Sequence, residues 1–369
     1  MNRDDRLPHA TAELTVTRAA LDGVPGHAVF QLIGFCCCGE NLAPTKNERH
    51  GRPPQIALGT LISGGEGGES PTQTLHRMRS WSRTKYELLD WLRRLLLRHG
   101  DDLRLIIWDD SGFDIPWELF WLPPDRAGRT AGGWLGALAT VTRWTTIQAP
   151  DGPVPYVSGR CAGDIAGYIA EEMREDRAFL PLPAERLAGT VSELFTELET
   201  PGPGLALIYV ACHGTYGETG FELTLGGLSV GEVDWRTFAR ITDSGGLVFI
   251  NACHSGRLIT DPHINDATIR GFAEIFLRSG AYGFVGTAGA VLETEARSVA
   301  EHVLRRLREQ PGVPVATLLR DYRRITAVAE LPPVADRRRG KDMLRFVNSY
   351  MYLYFGGPET TVALYGGGG

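Results

Sequence analysis

A cysteine and a histidine close two apolar runs of this chain, Leu205-Ala206-Leu207-Ile208-Tyr209-Val210-Ala211-Cys212-His213-Gly214 and Leu247-Val248-Phe249-Ile250-Asn251-Ala252-Cys253-His254-Ser255-Gly256. A thiol is a poor nucleophile until it ionises. A neighbouring imidazole stabilises the thiolate and can return a proton to a leaving amine. Cys253 and His213 within reach of one another would therefore make a cysteine–histidine hydrolase. Gly214 lets the backbone approach a substrate without a Cβ, and the N–H groups of Gly214 and Cys253 are the expected oxyanion hole. His254 adjoins the nucleophile, but successive strand side chains point to opposite faces, so it is expected to diverge from Cys253. The same alternation turns Cys212 away from His213 and into packing.

Each run has the composition of a strand buried on both faces, as in a parallel sheet, where chemistry gathers at the carboxyl ends of the strands. A separation of 40 residues leaves room for one crossover between neighbouring parallel strands. From about Lys85 onward the chain alternates helical and strand patterns. Helices are expected at 86–96, 163–174, 184–198, 267–279, 294–309 and 314–329, and strands at 103–108, 138–147, 154–161, 282–286 and 350–355. This order predicts βαβ units and a mostly parallel sheet covered on both faces. Residues 1–80 differ. Glu13–Arg18 alternates, Ala28–Cys37 is a second apolar run, and 41–54 and 63–73 are polar and rich in Gly and Pro. A small N-terminal accessory or regulatory region with β character is expected at 1–80, followed by the catalytic domain at 81–369. Leu331–Lys341, with Arg337-Arg338-Arg339, is expected to be a basic exposed loop.

The balance of the 369 residues excludes several classes of function. A net charge of -6 gives no electrostatic case for nucleic-acid binding. The longest apolar stretches are strand-sized, well below the roughly 20 residues that span a bilayer. The charged start, Met1-Asn2-Arg3-Asp4-Asp5-Arg6, does not look like a signal peptide, and a cytoplasmic location is expected. Cysteines 36, 37, 38, 161, 212 and 253 form no even disulfide framework. Cys36-Cys37-Cys38 has no accompanying CxxC pair and is expected to pack as small apolar side chains, with no metal. Gly280–Gly286 loosely resembles a dinucleotide loop but runs into a strand, not a helix.

The order of motifs from Lys85 to the C-terminus resembles a CHAT domain, a branch of the caspase-like cysteine peptidases that includes separase-like enzymes. Ile115-Pro116-Trp117-Glu118-Leu119 resembles the family's Leu-Pro-Phe-Glu-Ala-Leu segment. Ala211-Cys212-His213-Gly214 and Asn251-Ala252-Cys253 match its histidine and nucleophile strings. Leu225–Val233, Phe272–Ala281 with Val285-Gly286-Thr287, and Asn348–Gly357 are similar to the elements that follow. The resemblance implies a caspase-like three-layer α/β sandwich and a dyad of His213 as base and acid with Cys253 as nucleophile. A dyad needs no third member, so none is assigned to Asp110, Asp114 or Asp164.

Two departures bear on specificity. Cys253-His254-Ser255-Gly256 is closer to metacaspases, yet the acidic residue that those enzymes carry two positions before the nucleophile is Asn251 here. The family's Leu-Trp-x-Val-x-Asp segment is replaced by Ala288–Glu295. Glu293 and Glu295 fall where separase-like enzymes carry pocket acids, which makes Asn251, Glu293 and Glu295 the candidate substrate-pocket residues. The resemblance further implies regulated cleavage of a protein substrate without cofactor or metal, in a bacterial defence or cell-death setting. A gasdermin-like or other operon-encoded protein would be the substrate, and residues 1–80 would receive an activating partner. A catalytically silent scaffold and a sensor module acting through protein binding are the alternatives.

Overall fold

The computed structural model describes residues 7–20, 28–46, 71–112, 115–125, 128, 130, 132–149, 151–217, 223–260, 269–327 and 341–364. Its centre is a ten-stranded sheet. In chain order the strands are β1 (Thr11–Ala20), β2 (Ala28–Cys36), β3 (Leu42–Lys46), β4 (Arg104–Asp110), β5 (Thr140–Trp144), β6 (Asp164–Ile169), β7 (Leu205–Ala211), β8 (Leu247–Asn251), β9 (Gly283–Thr287) and β10 (Tyr352–Gly356). They lie in the order β6-β7-β8-β9-β10-β5-β4-β1-β2-β3. Pairing is parallel from β6 to β9 and again from β10 through β5 and β4 to β1. It is antiparallel at β9–β10, β1–β2 and β2–β3. The sheet is therefore mostly parallel, as the βαβ pattern predicts.

Alternation along β7 and β8 divides two apolar layers. Ile208, Val210, Val248 and Ile250 enter one, while Leu207, Tyr209, Leu247 and Phe249 enter the other. The first layer is closed by helices that include α3 (Val191–Glu199), α4 (Phe272–Arg278) and α7 (Lys341–Met351). The second is closed by α5 (Glu293–Glu309) and α6 (Val315–Thr326). Two covered faces make the three-layer α/β sandwich. Every residue of β7 and β8 is buried, which accounts for their unbroken apolar character. No helix of the described residues is long and apolar enough to cross a membrane.

Strands β1–β3 extend this same sheet, and Leu14, Val16, Phe30 and Leu32 share the first apolar layer with Trp91 and Leu92. Helices α1 (Pro71–Arg83) and α2 (Tyr86–His99) lead from this region into β4. The helix expected at 163–174 is instead edge strand β6 followed by a 3-10 segment, Glu171–Ala178. Ile165 and Ile169 have helical spacing, but pairing along β7 offers six residues a ladder, and that tertiary gain outweighs local periodicity. The strand expected at 154–161 is broken into two short pairings at its ends, Gly152–Val154 and Arg160–Ala162, outside the main sheet. The basic segment Arg337–Arg339 and Asp114 lie outside the described residues. Glu118, from the proline-containing motif, is buried and pairs bidentately with Arg143 of β5.

Candidate active site

The register of β7 against β8 brings the two candidate catalytic residues to one place. Ala211 pairs with Asn251, and the offset of 40 residues holds along the whole parallel ladder from Leu207↔Leu247. His213 and Cys253 thus leave neighbouring strands at equivalent positions, two residues past the last pair, at their carboxyl ends. His213 is exposed and Cys253 half-buried. No hydrogen bond joins them among the described residues. Gly214 packs directly on the nucleophile's backbone: a Cβ there would lie 2.1 Å from Cys253 O and 3.4 Å from Cys253 N. The Gly226 N–H donates to His213 O (2.9 Å), fixing the histidine's backbone to a small three-stranded sheet of residues 214–229.

Cys253 and His254 lie in a turn, because β8 ends at Asn251. Their divergence therefore does not come from strand alternation. His254 has φ +61°, a left-handed conformation uncommon outside glycine, and this turns its side chain aside. Its ring stacks on Tyr216 at 5.7 Å, and the Arg257 guanidinium covers the same Tyr216 ring. Burial, followed by the nearby Arg257 charge, pushes the His254 imidazole down to about 4. Its Nδ1 is buried without a partner. Cys212 is buried in the first layer, and desolvation pushes its thiol up to about 12. Neither residue is a suitable partner for a nucleophile near neutral pH.

Two hydroxyls hold the nucleophile turn. Ser255 Oγ donates to Ala252 O (2.8 Å) and receives the Thr287 N–H (3.0 Å), while Thr287 Oγ1 bonds Ala252 O (2.7 Å) and Gly289 O (3.0 Å). The His254 N–H donates to Gly289 O (3.0 Å). The Val291 N–H donates to Cys253 Sγ (3.4 Å), and the thiol in turn donates to Val291 O (3.7 Å). Ser255 stood in the nucleophile string and Thr287 in the Val-Gly-Thr motif. Nothing in the sequence marked Val291.

Around Asn251, two residues before Cys253, lies a small cleft of about 40 Å³ whose lining includes Met173, Glu175, Asp176, Asn251, Glu293 and Arg297. Two of the three expected pocket residues, Asn251 and Glu293, therefore meet. Glu295 does not join them; it is buried on α5 and interacts with Tyr322 and Arg345. The sequence missed Asp176, a buried carboxylate on the 3-10 segment after β6. Asp176 Oδ2 accepts from Tyr209 OH (2.6 Å) and Asn251 Nδ2 (3.1 Å), and Tyr352 OH donates to Asn251 Oδ1. Asp176 Oδ1 has no protein partner among the described residues. Burial raises the Asp176 carboxyl above the usual carboxylate range; the two hydrogen bonds oppose this, and the charge of Glu293 adds to it. The other carboxylates are engaged elsewhere. Asp164 pairs with Arg240 (3.0 Å), and Asp110 accepts from Thr145 and Thr146.

Residues 165–328 match the family model described as CHAT domain. Separase from Saccharomyces cerevisiae, solved in complex with securin, superposes with a TM-score of 0.41 at 12% identity, over 73% of this chain and 17% of separase. The chain thus spans under a fifth of the length of that protein. The Arg-specific cysteine proteinase gingipain R gives a TM-score of 0.44 at 12% identity, over 75% of this chain and 68% of the proteinase. The Porphyromonas gingivalis RgpB complex of pro- and mature domains gives 0.42 at 12%, over 75% and 70%. No curated protein matches the sequence.

Proposed function

We propose that this chain, whose residues 165–328 match the CHAT-domain family model, is a cysteine endopeptidase working through Cys253 and His213. The observation that carries the proposal is the Ala211↔Asn251 register, which supports a pairing of His213 and Cys253 because each follows its strand by two residues at the sheet's carboxyl edge. His213 takes the thiol proton, and Cys253 Sγ attacks the scissile carbonyl. The oxyanion is met by the N–H groups of Gly214 and Cys253, whose backbones are in contact. The C–N bond then breaks as His213 returns the proton to the leaving amine. Water, deprotonated by the same imidazole, hydrolyses the acyl-enzyme. The Val291 backbone, in contact with Cys253 Sγ through both its N–H and its carbonyl, positions the sulfur.

The cleft suits a basic P1 side chain. Asn251 contributes no charge itself but holds Asp176 in position, and Glu293 stands at the same opening. The unjoined His213 and Cys253 suit an enzyme that closes its dyad on activation. That is the regulated role the family resemblance implies, with a protein substrate, a partner received through the N-terminal strands, and a cytoplasmic defence setting.

The purified protein is compared with Cys253→Ala, His213→Ala and His254→Ala on a fluorogenic peptide library, alone and with proteins encoded beside it. Cys253→Ala should abolish cleavage, and His213→Ala should cost about 10²–10⁴-fold. His254→Ala should retain most activity. Identical cleavage by the parent protein and Cys253→Ala, or none under any activating condition, would leave the scaffold reading in its stead.

A further inference from the structure

Far from the catalytic edge, at the β2 end of the sheet, three sulfurs and an imidazole come together. Cys36 ends β2, Cys37 and Cys38 form the following turn, and His99 is the last residue of α2. His99 Nε2 lies 3.2 Å from Cys36 Sγ. Cys37 Sγ is 4.0 Å and Cys38 Sγ 3.1 Å from the same atom. The ligand atoms of Cys36, Cys37 and His99 all fall within 4.8 Å of one another. Ligands at zinc–sulfur and zinc–nitrogen bond lengths on a tetrahedron sit about 3.8 Å (S to S) and about 3.5 Å (S to N) apart. The Cys36–Cys37 separation is close to the first value and the Cys36–His99 separation is a few tenths of an ångström below the second, so small side-chain shifts reach both. We propose that Cys36, Cys37 and His99 bind a structural Zn²⁺ ion, and that Cys38, whose sulfur now touches Cys36 and lies outside the cluster of the other three, completes the site by rotating its side chain.

The surroundings fit this assignment. Cys36 is buried while Cys37, Cys38 and His99 are half-buried, so an ion would sit near the surface with a path of entry. The turn is built to gather the sulfurs: Cys37 N–H donates to Thr11 O (3.0 Å), Gly39 N–H donates to Cys36 O (2.9 Å), and Gly39 takes φ +85°. His99 ends a helix of 14 residues, where the backbone dipole favours a cation. Soft thiolates with one imidazole select zinc over calcium or magnesium. A metal here would close the loop of chain between residues 36 and 99 and clamp α2 to the far strands of the sheet, which chain-entropy arguments make stabilising. The expectation that the cysteine triplet is only packing overlooked His99, which is 63 residues away in sequence.

The full chain is purified without chelator, and its metal is counted by elemental mass spectrometry. It is then exchanged into Co²⁺ and its absorption recorded. One equivalent of zinc per chain is expected, with thiolate-to-cobalt charge transfer in the near ultraviolet and tetrahedral bands in the visible. Removing zinc should lower the Tm. The triple variant Cys36→Ser/Cys37→Ser/Cys38→Ser should lose the zinc, and His99→Ala should weaken retention at least tenfold. Cys253→Ala must keep the full equivalent, which separates this site from the catalytic thiol. If the triple variant does not fold, Cys37→Ser alone should still lower the cobalt charge-transfer band. The proposal is overturned if zinc-supplemented protein dialyses to no metal, or if the triple variant holds a full equivalent. A Cys36–Cys38 disulfide as the stable form in anaerobically prepared protein would also overturn it.

Discussion

Replacing Asp176 by Asn tests whether the cleft around Asn251 selects a basic side chain. Asp176 is buried, and one of its oxygens faces the cleft without a protein partner. A guanidinium or ammonium drawn to about 4 Å of that carboxylate would gain ~4 kcal/mol at an effective dielectric near 20. Desolvation of both charges removes part of this. Exposed Glu293, which Asp176→Asn leaves in place, adds little through water. A net effect of ~3 kcal/mol is expected, a fall of about 10²-fold in kcat/KM for Arg or Lys at P1. Neutral P1 substrates should be nearly unaffected.

The fold should tolerate this change. Asn Oδ1 can still accept from Tyr209 OH and Asn251 Nδ2. The Asp176 pKa is raised in the folded state, so its favourable contribution is present below the ordinary carboxylate pKa and lost as pH rises through the raised value. At neutral pH the ionised carboxylate opposes folding, and the amide should leave Tm unchanged or higher. The same titration predicts that preference for basic over neutral P1 weakens as pH falls toward the raised Asp176 pKa. The assay is kcat/KM on matched Arg and norleucine substrates across pH, with Tm in parallel. An unchanged Arg-to-norleucine ratio, or an equal loss for both substrates, would refute the assignment.

Two further outcomes follow from the geometry. Gly214→Ala sets a methyl 2.1 Å from Cys253 O; it should cost about 1–3 kcal/mol of stability and most of the activity, read by thermal denaturation and active-site titration. His254 is held at about 4 by burial and Arg257, so its stabilising contribution is full above its ordinary pKa. That contribution is lost as pH falls through the folded value, by at most about 3 kcal/mol. His254→Asn, which tolerates φ > 0, should flatten the stability–pH curve between those limits while leaving the acid limb of the pH–rate profile in place.

The central strands were legible because burial on both faces writes itself into composition: β7 and β8 are apolar up to Asn251, and their 40-residue offset equals the register. Strand β6 was not, because Ile165 and Ile169 satisfy a helical spacing and only the neighbouring β7 decides the matter. Cys253, His213 and Gly214 could be read as candidates because each stands at a strand's end in a recognisable string. Asp176 could not, since its role depends on a hydrogen bond to Asn251 that spans 75 residues. Glu295 shows the opposite failure: it is near Glu293 in sequence, but two residues along a helix turn it to another face.

The exit from β8 explains why the histidine next to Cys253 in sequence is packed on Tyr216 while His213, 40 residues before Cys253, is exposed. If Cys253 and His254 continued the strand, alternation would merely alternate their faces, and Cys253 would share the second layer with Phe249 and Asn251. Ending the strand at Asn251 releases the thiol from that layer. The left-handed residue at His254 then reverses the chain within one position, at a cost of about 1–2 kcal/mol for a side chain other than glycine. The Ser255 and Thr287 hydroxyls and the His254–Gly289 backbone bond offset that cost. The tight reversal that exposes the Cys253 thiol also turns the His254 ring onto Tyr216 and leaves it half-buried. The β7 exit carries no left-handed residue at His213, whose side chain is exposed. The division of labour between the two histidines is therefore a property of the two turns. Because the Ser255, Thr287 and Gly289 bonds hold the His254 turn without the imidazole, His254→Ala should leave alkylation of Cys253 by iodoacetamide close to that of the parent protein.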